Sequence, residues 1–79
     1  MKLSTKLATI FRDRVIAKLS EYGWTQTDLA NQLGVTPSYV SQVMTGHRGI
    51  GLDTLENFAE ALEVEPAYLI TEKKNAFAG

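Results

Sequence analysis

The chain contains no cysteine, a single histidine and two prolines in 79 residues. Without cysteine there is no disulfide framework and no thiolate metal site, which fits a protein of the cytoplasm. The lone His47 has no carboxylate cluster beside it in the sequence with which it could form a metal site or a catalytic pair. The composition therefore predicts a cytoplasmic protein without a metal ion or other cofactor.

Long apolar runs are also missing from the sequence. Lys6, Arg12 and Arg14 interrupt the apolar positions near the N-terminus before a membrane-targeting segment could form. No other stretch approaches the roughly 20 apolar residues that a bilayer-spanning helix requires. We therefore expect no membrane partner.

Acidic residues are absent from the middle of the chain. Between Asp28 and Asp53 there is no aspartate or glutamate, although the whole chain has a formal net charge of −1. Basic residues precede this stretch and acidic residues follow it: Lys2, Lys6, Arg12, Arg14 and Lys18 on one side, and Asp53, Glu56, Glu60, Glu63 and Glu65 on the other. Such a distribution can steer a polyanion to one face of a protein. Random scatter in a short chain is the alternative explanation.

Apolar residues recur every three or four positions, which is typical of amphipathic helices, and no alternating strand pattern is present. In the first of these helices Ile10 and Ile16 widen the apolar stripe. Glycines and capping residues divide the pattern into five helices, predicted over 4–22, 26–33, 37–45, 52–62 and 66–70. A chain of this length supports one core. We predict a compact all-α domain over 1–70, followed by a flexible tail or linker over 71–79.

Each predicted helix start after the first is flanked by two apolar residues five positions apart, as in a hydrophobic staple. The pairs are Trp24 and Leu29, Val35 and Val40, Ile50 and Leu55, and Val64 and Leu69. Thr25 with Asp28 forms a predicted capping box, Gly34 ends the second helix, and Thr36 caps the third. The sequence of residues 26–45 therefore predicts a helix, a tight turn and a second helix. In this helix-turn-helix arrangement the second helix can enter a DNA major groove.

The sequence TQTDLANQLGVTPSYVSQVMTG, followed by LDTLENFAEALEV and AYLI, resembles the Cro and phage-repressor type of helix-turn-helix proteins, also called the Xre family. The resemblance runs from about Val15 to Ile70. It implies a five-helix, lambda-repressor-like domain that binds double-stranded operator DNA as a dimer, with the third helix in the major groove. It also implies that the protein regulates transcription, as a repressor.

By position in this pattern, the resemblance implies base contacts from Thr36, Pro37, Ser38, Tyr39 and Gln42. It implies DNA-backbone contacts from Gln26, Ser41, His47, Arg48 and Gly49. Gln42 is the main candidate for direct readout, because a side-chain amide can pair with N6 and N7 of adenine together. Gln26 suits a phosphate, since the N–H groups and the dipole at a helix N-terminus favour an anion.

The chain departs from the family pattern at three positions. Many relatives carry an arginine and a glutamate that pair where Leu19 and Met44 stand here, which predicts an alternative apolar core. Glu63 stands where a glycine commonly ends the fourth helix. Either Glu63 adopts the strained left-handed conformation or the helix ends differently.

A homodimer contact through Tyr68, Leu69 and Ile70 is one interpretation of the fifth helix, and plain core packing is the other.

A second functional hypothesis is an antitoxin-like or scaffold module that holds a partner protein. The sequence pI near 5.7 and the few basic residues on the third helix favour it. We do not predict an enzyme, because no nucleophile with a base, carboxylate pair or metal set is recognisable.

Overall fold

The computed structural model describes residues 2–72, and it places them in five α-helices. These are α1 (Thr5–Tyr22), α2 (Gln26–Leu33), α3 (Pro37–Thr45), α4 (Leu52–Leu62) and α5 (Pro66–Ile70). The predicted all-α fold is confirmed, and α1 begins one residue later than predicted because Ser4 is its N-cap. Residues 73–79 of the predicted tail lie outside the described residues. No helix within 2–72 is long and apolar enough to cross a membrane.

The chain enters α1 from a short extended segment that is held against the loop before α4. Lys2 and Gly51 form an isolated antiparallel bridge, and Leu3 N donates to Ile50 O at 2.8 Å. Ile50 is itself buried in the core. The start of the chain is therefore fixed beside the loop that connects α3 to α4.

The helix starts use the predicted caps. The Thr25 hydroxyl accepts from Asp28 N at 3.1 Å while the Asp28 carboxylate accepts from Thr25 N at 2.8 Å, which completes a capping box. The Thr36 hydroxyl accepts from Tyr39 N at 3.1 Å at the start of α3. Gly34 ends α2 with a φ of 74°, a conformation that glycine adopts without steric cost. Local chemistry thus sets the turn between α2 and α3.

One hydrophobic core joins all five helices. Its largest fully buried side chains are Phe11, Val15, Leu29, Val40, Val43, Ile50, Phe58, Leu62 and Leu69. The Phe11 and Phe58 rings lie 5.3 Å apart at an interplanar angle of 57°, an arrangement that favours edge-to-face contact. Leu19 is buried and Met44 packs against the core, so the predicted alternative apolar core is confirmed.

The buried stripe of α1 is narrower than the sequence predicts. Ala8, Phe11, Val15 and Leu19 are buried, whereas Ile16 is 55% exposed. Ile16 follows Val15 by one residue, which turns its side chain about 100° around the helix and away from the core. The prediction that Ile16 belongs to the buried stripe was therefore wrong.

Helix α5 packs on α1 and α4, and this packing bears on the dimer contact predicted for Tyr68, Leu69 and Ile70. Leu69 is 0% exposed within its own chain, so it cannot contact a second chain. Tyr68 and Ile70 are half-buried. The Tyr68 ring lies 5.1 Å from the Arg14 guanidinium and 5.3 Å from Lys18 Nζ. Leu69 is therefore a core residue, and a dimer contact through Tyr68 and Ile70 stays a prediction.

Helix α4 ends at a strained residue. Glu63 has φ 61° and ψ 45°, and it is the one non-glycine residue with positive φ within residues 2–72. Its N–H donates to the carbonyls of Ala59 and Glu60, which closes the helix as a glycine would. Of the two predicted alternatives, the left-handed conformation is the one observed.

We expect Glu63→Gly to raise the free energy of unfolding by about 1 kcal/mol, because glycine adopts this conformation without a clashing Cβ. Urea denaturation of the wild-type protein and of Glu63→Gly measures the difference in their free energies of unfolding. Glu63→Ala is the matched control, since alanine removes the charge but keeps the Cβ. An equal gain from both variants would show that the charge of Glu63, rather than its backbone conformation, is responsible.

Candidate nucleic-acid interface

The outer face of α3 carries most of the predicted base-contacting residues. Val40 and Val43 are 0% exposed and hold the opposite face against the core. Pro37, Ser38 and Gln42 are exposed. The remaining predicted contacts on this helix and its cap are Thr36, which is exposed, and Tyr39 and Ser41, which are half-buried. The helix thus presents short and amide side chains to solvent on a rigidly packed support.

Two of the predicted base-contacting residues are joined to a predicted backbone-contacting residue. Arg48 Nε donates to Gln42 Oε1 at 3.0 Å, and the Arg48 guanidinium carbon lies 5.0 Å from the centroid of the Tyr39 ring. The backbone N–H of Arg48 also donates to the backbone carbonyl of Gln42 at 3.2 Å. We call Tyr39, Gln42 and Arg48 the Arg48 cluster. The sequence predicted all three as DNA contacts but did not predict these bonds between them.

Thr36 has a structural role in addition to its predicted one. Its hydroxyl oxygen accepts from Tyr39 N and so caps α3. The hydroxyl hydrogen is not used by that bond, because a hydroxyl both donates and accepts. Thr36 can therefore cap the helix and donate to a ligand at once.

The turn after α3 positions His47. Gly46 ends the helix with a φ of 89°, and the His47 N–H donates to the Gln42 carbonyl at 3.0 Å. The Thr45 hydroxyl lies 2.7 Å from His47 Nδ1, so Nε2 is the ring nitrogen left for a ligand. The described part of the chain contains no group of three histidine, cysteine or carboxylate residues that could hold a metal ion.

Gln26 lies apart from the turn, at the first residue of α2, and is exposed. The first N–H groups of a helix have no acceptor within that helix, so they remain available to an anion. The capping box occupies Thr25 N and Asp28 N among them, which leaves the N–H groups of Gln26 and Thr27. The phosphate contact of Gln26 stays a prediction, at a helix start that also carries the Asp28 carboxylate.

A cleft of about 260 Å³ lies between the start of the chain, α1 and the loop after α3. It is lined by Lys2, Leu3, Thr5, Ala8, Arg12, Gly46, Arg48, Gly49 and Ile50. We call it the basic cleft, because three of these described residues are cationic and none is acidic. Gly49 allows the close approach: a Cβ at this position would overlap Lys2 Cδ.

The sequence did not single out Lys2 or Arg12 as site residues. Both precede the helix-turn-helix pattern, and only the excess of basic residues near the N-terminus hinted at them. Within residues 2–72 the ion pairs join Lys6 to Glu72 at 3.4 Å and Lys18 to Glu21 at 3.1 Å. In that range, the cations of the basic cleft are therefore not neutralised by a carboxylate.

Arg12 connects the basic cleft to the end of α3. Its Nε donates to the Val43 carbonyl at 2.8 Å in a partly buried position. That carbonyl belongs to the last turn of α3, where a positive charge also interacts favourably with the helix dipole. Arg12 thus holds the C-terminal end of α3 against α1.

We expect Arg12→Met to lower the free energy of unfolding by about 1–2 kcal/mol, because it removes a partly buried charged hydrogen bond and a favourable dipole interaction. Urea denaturation checks the value. Arg14→Met is the matched control, since Arg14 donates to Thr71 O at 3.0 Å in an exposed position. Equal losses from the two variants would contradict a special role for the Arg12 bond.

Most of the chain matches a known protein family. A helix-turn-helix family model, of the Cro/C1 type, matches residues 16–69. The match begins within α1, includes α2, α3 and α4, and ends one residue before the end of α5. No curated protein matches the sequence.

Similar solved structures include the hypothetical transcription factor NHTF from Neisseria, which is 26% identical with a TM-score of 0.81 over 99% of this chain and 92% of that chain. The restriction-modification controller protein C.AhdI from Aeromonas hydrophila is 32% identical, with a TM-score of 0.70 over 78% of this chain and 94% of that chain. The clp gene regulator ClgR from C. glutamicum is 22% identical and shares the fold, with a TM-score of 0.70 over 80% of this chain and 82% of that chain.

Proposed function

The chain belongs to the Cro/C1-type helix-turn-helix family and is a DNA-binding transcriptional regulator, and we propose that it is a repressor that binds operator DNA as a homodimer. In this proposal α3 of each protomer enters the major groove of one half-site. The half-sites lie about 34 Å apart, which is one turn of the DNA helix, or a multiple of that distance. A dimer spanning them within a promoter would exclude the polymerase.

The observation that carries the proposal is the outer face of α3 beside the basic cleft. Ser38 and Gln42 are exposed on a helix whose other face is fixed by core packing. Lys2, Arg12 and Arg48 lie next to the end of that helix. A face with polar groups for base edges, flanked by cations for phosphates, matches the two kinds of contact that a DNA-binding protein needs.

The base-contacting residues take different roles in this proposal. Gln42 pairs with an adenine edge, and Ser38 donates to or accepts from a neighbouring base. Pro37 and Tyr39 offer apolar contact to a thymine methyl group. Thr36 donates its hydroxyl hydrogen to a base near the start of α3, while its hydroxyl oxygen accepts the capping bond from Tyr39 N.

The DNA-backbone contacts surround this face. Gln26, at the start of α2, donates to a phosphate. The neighbouring backbone N–H groups favour the negative charge of that phosphate. The remaining backbone contacts that the sequence predicted are Ser41, His47, Arg48 and Gly49. To these we add Lys2, which lines the basic cleft beside Gly49.

The proposal is tested by selecting random duplex DNA on the purified protein at near-physiological salt and sequencing the enriched pool. We expect a palindrome with half-sites one helical turn apart. A folded protein that enriches no sequence would contradict the proposal. The hypothesis of a partner-binding module, which the net charge of −1 favours, would then replace it.

We expect Gln42→Ala to weaken binding to the selected site by about tenfold to a hundredfold, because it removes a bidentate base contact. Binding to unrelated DNA should change little. A fluorescence anisotropy titration with both duplexes measures the two affinities. Gln32→Ala is the matched control, since Gln32 is an exposed glutamine at the other end of α2 from Gln26. Equal affinities for wild type and Gln42→Ala at the selected site would exclude Gln42 from base readout.

We expect Lys2→Ala to weaken binding to selected and unrelated duplexes by the same factor, because a phosphate contact carries no sequence information. The slope of log affinity against log salt concentration should fall in magnitude by about 1. Titrations at several salt concentrations measure that slope. The control is Lys6→Ala, which removes a lysine that is paired with Glu72. A slope unchanged in Lys2→Ala would place Lys2 outside the DNA contact.

A further inference from the structure

Arg48 contacts both Tyr39 and Gln42 before any DNA is bound. Its guanidinium lies over the Tyr39 ring at 5.0 Å and its Nε donates to Gln42 Oε1 at 3.0 Å. The cation–π contact with the Tyr39 ring restrains the guanidinium, and this also restrains the direction of its Nε–H. The Gln42 amide therefore accepts from a guanidinium that is itself restrained by the Tyr39 ring.

The chemistry of arginine determines which end of the Gln42 amide faces it. Arginine has five N–H donors and no acceptor, so only the carbonyl oxygen of the amide can bond to it. A flipped amide would place two donors against each other. The Gln42 Nε2 group is consequently directed away from Arg48 Nε, with both of its hydrogens available.

We infer that Arg48 is a positioning residue for base readout: it fixes the Gln42 amide in one orientation, with Tyr39 as the platform on which it stacks. The inference rests on the proposed function, in which Gln42 reads a base edge. It assigns to Arg48 a role in sequence discrimination, beyond the phosphate contact that the family pattern implies for this position.

The fixed orientation has a defined consequence for the base that Gln42 can read. Oε1 has two lone pairs, and Arg48 uses one, so the other can still accept from N6 of adenine. The Nε2 hydrogens can donate to N7 of the same base. Because the orientation is set in advance, Gln42 loses less rotamer freedom on binding a matching base.

The test compares Arg48→Met, Arg48→Lys, Gln42→Ala and the double variant Gln42→Ala/Arg48→Met. Each is titrated with the selected duplex and with duplexes that carry every base pair at the position where Gln42→Ala loses its preference. We expect Arg48→Met and Arg48→Lys to reduce discrimination at that base pair by about threefold to tenfold, the cost of ordering one long side chain.

Two comparisons separate positioning from a plain phosphate contact. Arg48→Lys keeps the charge and should keep the salt dependence, but a lysine lacks the planar group that stacks and donates in one fixed geometry. In the Gln42→Ala background, Arg48→Met should cause no further loss of discrimination. Arg14→Met is the matched control. Arg14 also lies over a tyrosine ring, that of Tyr68 at 5.1 Å, but it belongs to α1 and does not lie beside α3.

Other outcomes would overturn the inference in distinguishable ways. If the Arg48 variants weaken every duplex equally, Arg48 contacts phosphate alone, and the proposed function stands without the inference. If Arg48→Met loses discrimination even in the Gln42→Ala background, Arg48 reads a base itself. If the wild-type protein prefers no sequence, both the inference and the proposed function are wrong.

A measurement without DNA tests the same bond directly. Nitrogen-15 relaxation of the side-chain amides in the free protein should show Gln42 Nε2 more ordered than Nε2 of the exposed Gln32. Arg48→Met should bring the order of Gln42 down to that of Gln32, and Arg14→Met should not. Equal order of the two amides in the wild-type protein would contradict the inference.

Discussion

The burial of Val40 and Val43 beneath α3 is the interaction on which the proposed interface depends. These two side chains fix the rotation of the helix about its axis, and the outward direction of Ser38 and Gln42 follows from it. The cap at Thr36 sets where the helix begins. The bond from Arg12 to the Val43 carbonyl holds its other end. The proposed recognition surface thus rests on a support with little freedom.

The positive charge of the proposed interface is assembled from distant parts of a chain whose net charge is −1. Lys2 comes from the segment before α1, Arg12 from α1, and Arg48 from the loop after α3. They converge because the bridge between Lys2 and Gly51 ties the start of the chain to that loop. The overall charge of a small domain therefore says little about its ligand, since local arrangement decides the potential at one face.

The sequence predicts the fold well because helix starts and ends depend on residues close together in the chain. The Thr25 capping box was recognisable because its two residues are three positions apart, and Glu63 was recognisable as a departure at a helix end. Contacts between distant residues left no such signal: Arg12 and Val43 are 31 positions apart. The bond from Arg48 to Gln42 depends on side-chain rotamers, which periodicity does not encode.

The extended segment at Lys2 also has a practical consequence for handling the protein. Since Lys2 pairs with Gly51 and lies over Gly49, any polypeptide fused ahead of it would leave the domain at the basic cleft. In the proposed complex, an affinity tag at that end would compete with DNA for the space beside the basic cleft.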